Sequence, residues 1–196
     1  MAELPTFVQS RPLTRAALEY AGRFHQGQER EADHAPFILH PLEVAAILDG
    51  FGFDDSTTAA AVLHDSLEQS EMTGAQIEER FGPRVARLVD ILTEPELSGS
   101  EGDRKGALRE QVAIADGEAA AIFAADKISK TRELRIRRTW DPGYADDPAT
   151  TMKTDHYWKS LSMLEEALGE HPLVGQLRFE LEAMRAWPPH TGVGDR

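Results

Sequence analysis

Along most of this chain apolar residues recur at the three- and four-residue spacing of an amphipathic helix. Leu13, Ala16, Ala17, Tyr20, Ala21 and Phe24 make the first stripe, which predicts a helix over 13–25 with Thr14 as a capping candidate. The polar stretch 26–36 breaks the pattern and reads as a loop. Pro41 suits a first helical position, and Leu42, Val44, Ala45, Ile47 and Leu48 carry a helix to about Gly50. Asp55 or Ser56 can cap the next helix, which runs through Ala59, Val62 and Leu63 to about Glu68. It is apolar nearly all round, as a central buried helix is.

Thr73 followed by Gln76 matches a capping box ahead of Ile77 and Phe81. Gly82-Pro83 stops one helix and starts another over Val85, Leu88, Val89 and Leu92. After a polar loop at 94–103, helices are predicted over 104–115 and 117–138. A Pro/Gly/Asp loop at 140–148 precedes two last helices, over 150–169 and 173–186, and the tail from Pro188 is expected to fray. On the final pair, Leu161, Met163, Leu164, Leu177, Leu181 and Met184 are expected to pack inward, with a dimer interface as the alternative. No strand-like alternation or internal repeat appears. The expected fold is all-α: one domain over 1–196, about eight helices, with its core at about 13–186.

Composition narrows what such a bundle does. At 41% hydrophobic and 28% charged over 196 residues, it is an ordinary soluble chain long enough for a real core. No apolar run reaches the roughly 18–20 residues that span a bilayer, and the first residues lack a signal-peptide core. The cytoplasm is therefore the expected compartment. There is no cysteine, so disulfides and thiolate metal ligands are excluded, and any metal must be held by histidine and carboxylate. A net charge of −13 argues against nucleic acid or an anionic membrane as partner. Against that background, Lys127, Lys130, Arg132, Arg135, Arg137 and Arg138 form a basic strip interrupted by one acid, Glu133. It reads either as a site for a small polyanion or as a solvated helix face.

The residues able to carry chemistry lie beside apolar sequence. His64-Asp65 ends the most apolar helix, and burying that pair is costly unless something compensates both. On a continuous helix, positions 64, 65 and 68 share one half of the surface, so Glu68 is expected to face the same cavity. His40 precedes Pro41, and Asp126 ends the run Ala121–Ala125. Singly, His40 can be a helix cap, and Asp126 can pair with Lys130 four residues on. Together the four can converge on one ion.

The segments His25-Gln-Gly-Gln28, Pro36-Phe-Ile-Leu-His40-Pro41, Leu63-His64-Asp65-Ser-Leu-Glu68, Phe81-Gly82 and Ala125-Asp126-Lys127 occur in that order. They resemble the hydrolase domain of the RelA/SpoT family and its stand-alone members, the small alarmone hydrolases. The likeness covers about 13–134, and Tyr157-Trp158 is similar to a C-terminal aromatic feature of the family. The resemblance implies an HD-type helical bundle and a metal-dependent phosphohydrolase that removes the 3′-pyrophosphate from guanosine tetra- or pentaphosphate. It implies His40, His64, Asp65 and Asp126 as ligands of one divalent metal, manganese by family usage, with iron or zinc also suited to the donor set. Glu68 and Gln69 take the catalytic positions. Arg23, Gln28, Arg30, Lys127, Lys130 and Arg132 fall where the substrate, a small phosphorylated nucleotide, is expected. The oligomeric state is left open, a homodimer included.

Three positions depart from the family pattern. Gln69 stands where an Asp usually follows Glu68, and it can hold a water but accept no proton. Lys130 stands where an Asn is common, and the loop 29–35 carries Glu31 and Asp33 in place of a basic-Ser-Gly run. Alternative readings are an HD phosphohydrolase acting on another phosphorylated nucleotide or metabolite, a catalytically weak nucleotide-binding regulator, and a protein whose metal is only a structural staple.

Overall fold

The structure, a computed structural model, describes residues 5–145 and 147–186. The expected fraying from Pro188 lies outside these residues. Every regular element among them is helical; the only β feature is an isolated bridge between Glu29 and Pro36, which ties off the loop expected at 26–36. A one-turn helix that the apolar pattern does not announce, α1 (Thr6–Gln9), leads into α2 (Pro12–Phe24). Pro12 opens α2, so Thr14 lies inside it and is not its cap. The carboxylate of Asp55 instead accepts the N–H groups of Leu13 and Thr14, each at 2.9 Å, and caps α2 across the fold.

Helix α3 (Leu39–Gly50) begins two residues before Pro41, which places His40 within its first turn. Asp54, not Asp55 or Ser56, caps α4 (Asp55–Leu63) by accepting Thr57 N–H at 2.9 Å. The predicted continuous helix to Glu68 is broken. Its ladder stops at His64 and Asp65, and α5 (Ser66–Gln69) restarts it, with Gln69 N–H donating to Asp65 C=O at 2.9 Å. The capping box at Thr73 and Gln76 starts α6 (Gly74–Phe81), and Gly82, at φ 85°, turns the chain into α7 (Pro83–Leu92).

A second capping box, Ser100 with Asp103, starts α8 (Glu101–Ala113) three residues before the apolar stripe does. Asp116 caps α9 (Gly117–Trp140), the longest helix, which a 3₁₀ turn (Pro142–Ala145) joins to α10 (Pro148–Leu168) and then α11 (Pro172–Ala186). Helix α9 is the axis of the molecule: α3, α10 and α11 pack along it, and α4, α7 and α8 close its remaining sides. Its segment Ala119–Ser129 and the Thr57–Leu63 run of α4 are wholly buried, as their all-round apolar sequence requires. Side chains such as Leu48, Leu63, Phe123 and Leu164 are fully buried, each contributing about 1.5–3 kcal/mol. Leu161, Leu164, Leu177, Leu181 and Met184 face inward, as expected, with Met163 partly buried beside them.

Candidate metal centre

Three elements deliver four side chains to one point. His40 comes from the first turn of α3, His64 and Asp65 from the break between α4 and α5, and Asp126 from the middle of α9. Asp126 Oδ1 lies 3.1 Å from His40 Nε2 and 3.4 Å from His64 Nε2. Asp65 Oδ2 is 3.5 Å from His40 Nε2, and its Oδ1 is 3.3 Å from His64 Nε2. Donor atoms of His40, His64 and Asp65 all lie within 4.8 Å of one another. His64 and Asp65 both keep right-handed helical backbone angles at the break, so they still share one half of the helix surface.

The far sides of both rings are occupied. His64 Nδ1 lies 2.7 Å from Ala61 C=O and so carries the proton it donates, which in the neutral ring leaves the lone pair on Nε2. That buried Nε2 has no hydrogen-bond partner, although carboxylate oxygens surround it. A lone pair aimed at carboxylates is repulsive unless a cation sits between them. His40 Nδ1 faces Ser129 Oγ at 3.0 Å and Glu133 Oε1 at 3.2 Å, while Ser129 Oγ donates to Glu43 at 2.9 Å. Metal-bound histidines use outer support of this kind, and it leaves the inner nitrogen facing the other donors. The donor set, two imidazole nitrogens and two carboxylates, fits a divalent transition metal.

Charge in the cluster is shared among neighbours. Burial opposes ionisation of Asp126, but Lys127 and Lys130 hold its carboxyl well below the usual carboxylate range. Asp65 is likewise opposed by burial and lowered to about 2 by His64 and Lys130. Burial alone depresses His40, yet its hydrogen bonds to Asp126 and Glu133 prevail and push it up to about 9. Lys127 Nζ donates to Asp126 Oδ2 at 2.6 Å and lies over the Phe123 ring. Lys130 Nζ lies 2.9 Å from Asp126 Oδ1, which is the pairing four residues apart that the sequence allowed.

His40 and Asp65 line the floor of a cavity of about 760 Å³, and His64 and Asp126 lie buried behind them. Glu68 and Gln69 stand on its rim, and Glu68 Oε1 accepts the Glu94 N–H at 2.5 Å. Partial desolvation raises the Glu68 carboxyl above its ordinary value; that hydrogen bond opposes the shift, and the nearby Asp65 and Glu94 carboxylates reinforce it. Gln28 and Arg30 line the wall. Gln28 Nε2 donates to Gln69 C=O at 2.9 Å, and Arg30 is paired with Asp33 and Glu133. Arg23 and Arg132 are not brought there: Arg23 is exposed on α2, and Arg132 binds Glu43 and Glu180 in a separate groove. The basic strip is thus neither of the two faces expected. Lys127 and Lys130 turn to the cavity, whereas Arg132 and Arg135 converge on the buried carboxylate of Glu180.

Several wall residues were not singled out from sequence. Lys105 and Arg109, four apart on α8, reach the cavity, as do Lys153, Tyr144 and His156. His156 Nδ1 accepts from Arg109, and burial followed by the charges of Lys127 and Arg109 lowers the imidazole to about 2. Tyr157, noted as part of the aromatic feature, lines the wall, whereas Trp158 lies under Arg185. Ser129 and Glu133 carried a usable signal: 126, 129, 130 and 133 share one face of a helix.

Comparison with known proteins agrees with this arrangement. The HD domain family model matches residues 17–139, which include all four converging side chains. The chain belongs to the HD domain family. A guanosine-3′,5′-bis(diphosphate) 3′-pyrophosphohydrolase of Aquifex aeolicus is 47% identical over 77 residues, which are 39% of this chain and 11% of that protein. A probable GTP pyrophosphokinase of Mycobacterium leprae is 34% identical over 127 residues, 63% of this chain and 16% of that one. The chain thus matches only a small part of these relatives' length. Among solved structures, a metazoan SpoT ortholog described as hydrolysing ppGpp superimposes with a TM-score of 0.70 at 23% identity, over 94% of this chain and 97% of that one. A Listeria monocytogenes EGD-e protein gives 0.68 at 27% identity, over 76% and 97%. The family match ends within α9, and the superposition on the metazoan structure covers 94% of this chain.

Proposed function

We propose that this chain is a metal-dependent phosphohydrolase that removes the 3′-pyrophosphate from guanosine tetra- or pentaphosphate-type nucleotides, with the described helices acting as one catalytic domain. The observation that carries the reading is the meeting of two outward-supported imidazoles and two carboxylates at the base of a cavity lined by both cations and acids. Matched segments of relatives named for guanosine tetraphosphate chemistry favour that nucleotide. His40, His64, Asp65 and Asp126 are the ligands in this reading, and manganese is the proposed ion, with iron or zinc also compatible with the donors. A divalent ion bound there supplies Lewis-acid polarisation of a phosphoryl oxygen and a more acidic water.

The remaining work falls to the chain. Glu68, with its raised carboxyl, accepts a proton from the attacking water, and Gln69 orients that water by hydrogen bond. Water adds to phosphorus, the bond to the ribose 3′ oxygen breaks, and the proton taken up by Glu68 passes through solvent to that departing oxygen. Lys127 and Arg30 offset negative charge on the transferred group. Tyr144, Tyr157 and Phe37 give the cavity wall an apolar side against which a base can lie.

The test is a panel of phosphorylated nucleotides and metabolites incubated with Mn²⁺ and assayed for phosphate and pyrophosphate. Pyrophosphate release from guanosine tetraphosphate is expected. Turnover confined to another compound overturns the substrate assignment and leaves the hydrolase. A second reading, nucleotide binding with little turnover, draws on Gln69 in place of an acid. Binding of guanosine tetraphosphate without turnover would decide for it.

A further inference from the structure

Among the charged groups of the centre, Lys130 occupies an unusual position. Its Nζ lies 2.9 Å from Asp126 Oδ1 and 3.7 Å from Asp65 Oδ2. The same Asp126 oxygen faces the inner nitrogens of both histidines. The ammonium therefore holds the carboxylate edges that an ion in this centre needs. Lys127 differs. It engages the other Asp126 oxygen, Oδ2, and is packed over Phe123 with its side chain 5% exposed. The Lys130 side chain is 32% exposed and lines the open cavity, so it has somewhere to go.

Charge balance points the same way. Ligation requires both imidazoles neutral; the two carboxylates are then already matched by the two ammonium groups, and a divalent ion adds two further positive charges within a few ångströms. Such repulsion in a buried centre is large compared with thermal energy. Lysine is a point charge on a flexible four-carbon stem, well suited to leave.

We propose that Lys130 is a tethered competitor of the divalent ion. Its ammonium neutralises Asp126 and Asp65 in the metal-free protein, and metal enters as that ammonium swings into the cavity. The inference rests on the metal-centre reading above. Its consequence is a centre that loads metal less tightly than the same four ligands would alone.

The test is a Mn²⁺ titration of the full chain, followed by the electron paramagnetic resonance signal of free Mn²⁺. Lys130→Met is expected to bind Mn²⁺ about tenfold or more tightly than the unaltered protein, because one competing unit charge is gone. Lys130→Arg, which keeps the charge, is expected to show no such gain. Equal or weaker binding by Lys130→Met overturns the role of Lys130 alone. Absence of Mn²⁺ binding in every form removes the metal centre and this inference with it. A second measurement needs no variant: lysine acetylation mapped by mass spectrometry with and without saturating Mn²⁺. Lys130 is expected to react several-fold faster with Mn²⁺, against an unchanged rate at Lys159 on the cavity rim. An unchanged or slower rate at Lys130 overturns the proposal.

Discussion

At the scale of single residues, the proposed function separates holding an ion from moving a proton. His64 is fixed by its Nδ1 bond to Ala61 and has no role but to present Nε2. His64→Ala should therefore abolish stoichiometric Mn²⁺ retention, read by metal analysis after dialysis. Glu68 makes no contact with the histidines and is held by the Glu94 backbone. Glu68→Gln should keep one equivalent of Mn²⁺ while pyrophosphate release falls by about 10²–10⁴-fold, the usual worth of general-base assistance. Full turnover in that variant would remove Glu68 from its role. The residue types and their order were readable from the chain. The support behind them, Ser129 and Glu133 behind His40, was not read, although their spacing from Asp126 places them on its helix face.

At the scale of elements, capping across the fold and one buried histidine stand out. Asp55 was expected to cap its own helix; it caps α2 instead and also accepts the Thr14 hydroxyl at 2.7 Å. Asp55→Ala should cost about 1–3 kcal/mol in urea unfolding, because two buried N–H groups and a hydroxyl lose their acceptor. A loss within error would show that water replaces it. His156 joins α8 to α10 through Arg109 and stays neutral in the folded protein, with its pKa lowered to about 2. Its ordinary value is 6.5, so below that pH the unfolded chain binds a proton that the folded chain refuses. Stability from this group is full above pH 6.5 and falls as pH drops toward 2. His156→Gln, which keeps an acceptor for Arg109, should flatten the melting temperature between about pH 6.5 and 4 relative to the unaltered protein. An unchanged slope would assign the acid sensitivity to other groups.

At the scale of the molecule, the proposed metal centre would also act as a fastener. Its four side chains come from α3, the α4–α5 break and α9, and α9 is the helix against which most others pack. An ion bound only by the folded chain stabilises it by about 2.7 kcal/mol at one hundred times its dissociation constant. Mn²⁺ should thus raise the melting temperature, EDTA should reverse the gain, and His64→Ala should show neither. No helix among the described residues is long and apolar enough to cross a membrane. The net charge of −13 coexists with a cavity wall carrying Arg30, Lys105, Lys127, Lys130 and Lys153. The same wall also carries Glu29, Glu31, Glu101, Glu133 and Asp155, so its cations are interleaved with acids and do not form one positive face.

The sequence by itself determined the helical class, the buried character of α4 and the capping box at Thr73. Those properties are local: they follow from periodicity and turn chemistry. The four converging side chains were legible through the order of motifs that resemble a known family, since each residue singly allowed another reading. The tertiary structure alone decided where the α4 helix breaks, which carboxylate caps α2, and which members of the basic strip reach the cavity. It also placed Lys105, Arg109 and His156 opposite the metal centre and set Lys130 between the two carboxylates. Each of these depends on a partner far away in the chain, such as Asp55 for α2 or Glu180 for Arg132 and Arg135. Hydrogen-bond acceptors and counter-charges of that kind are chosen by packing, and no periodicity in the sequence encodes them.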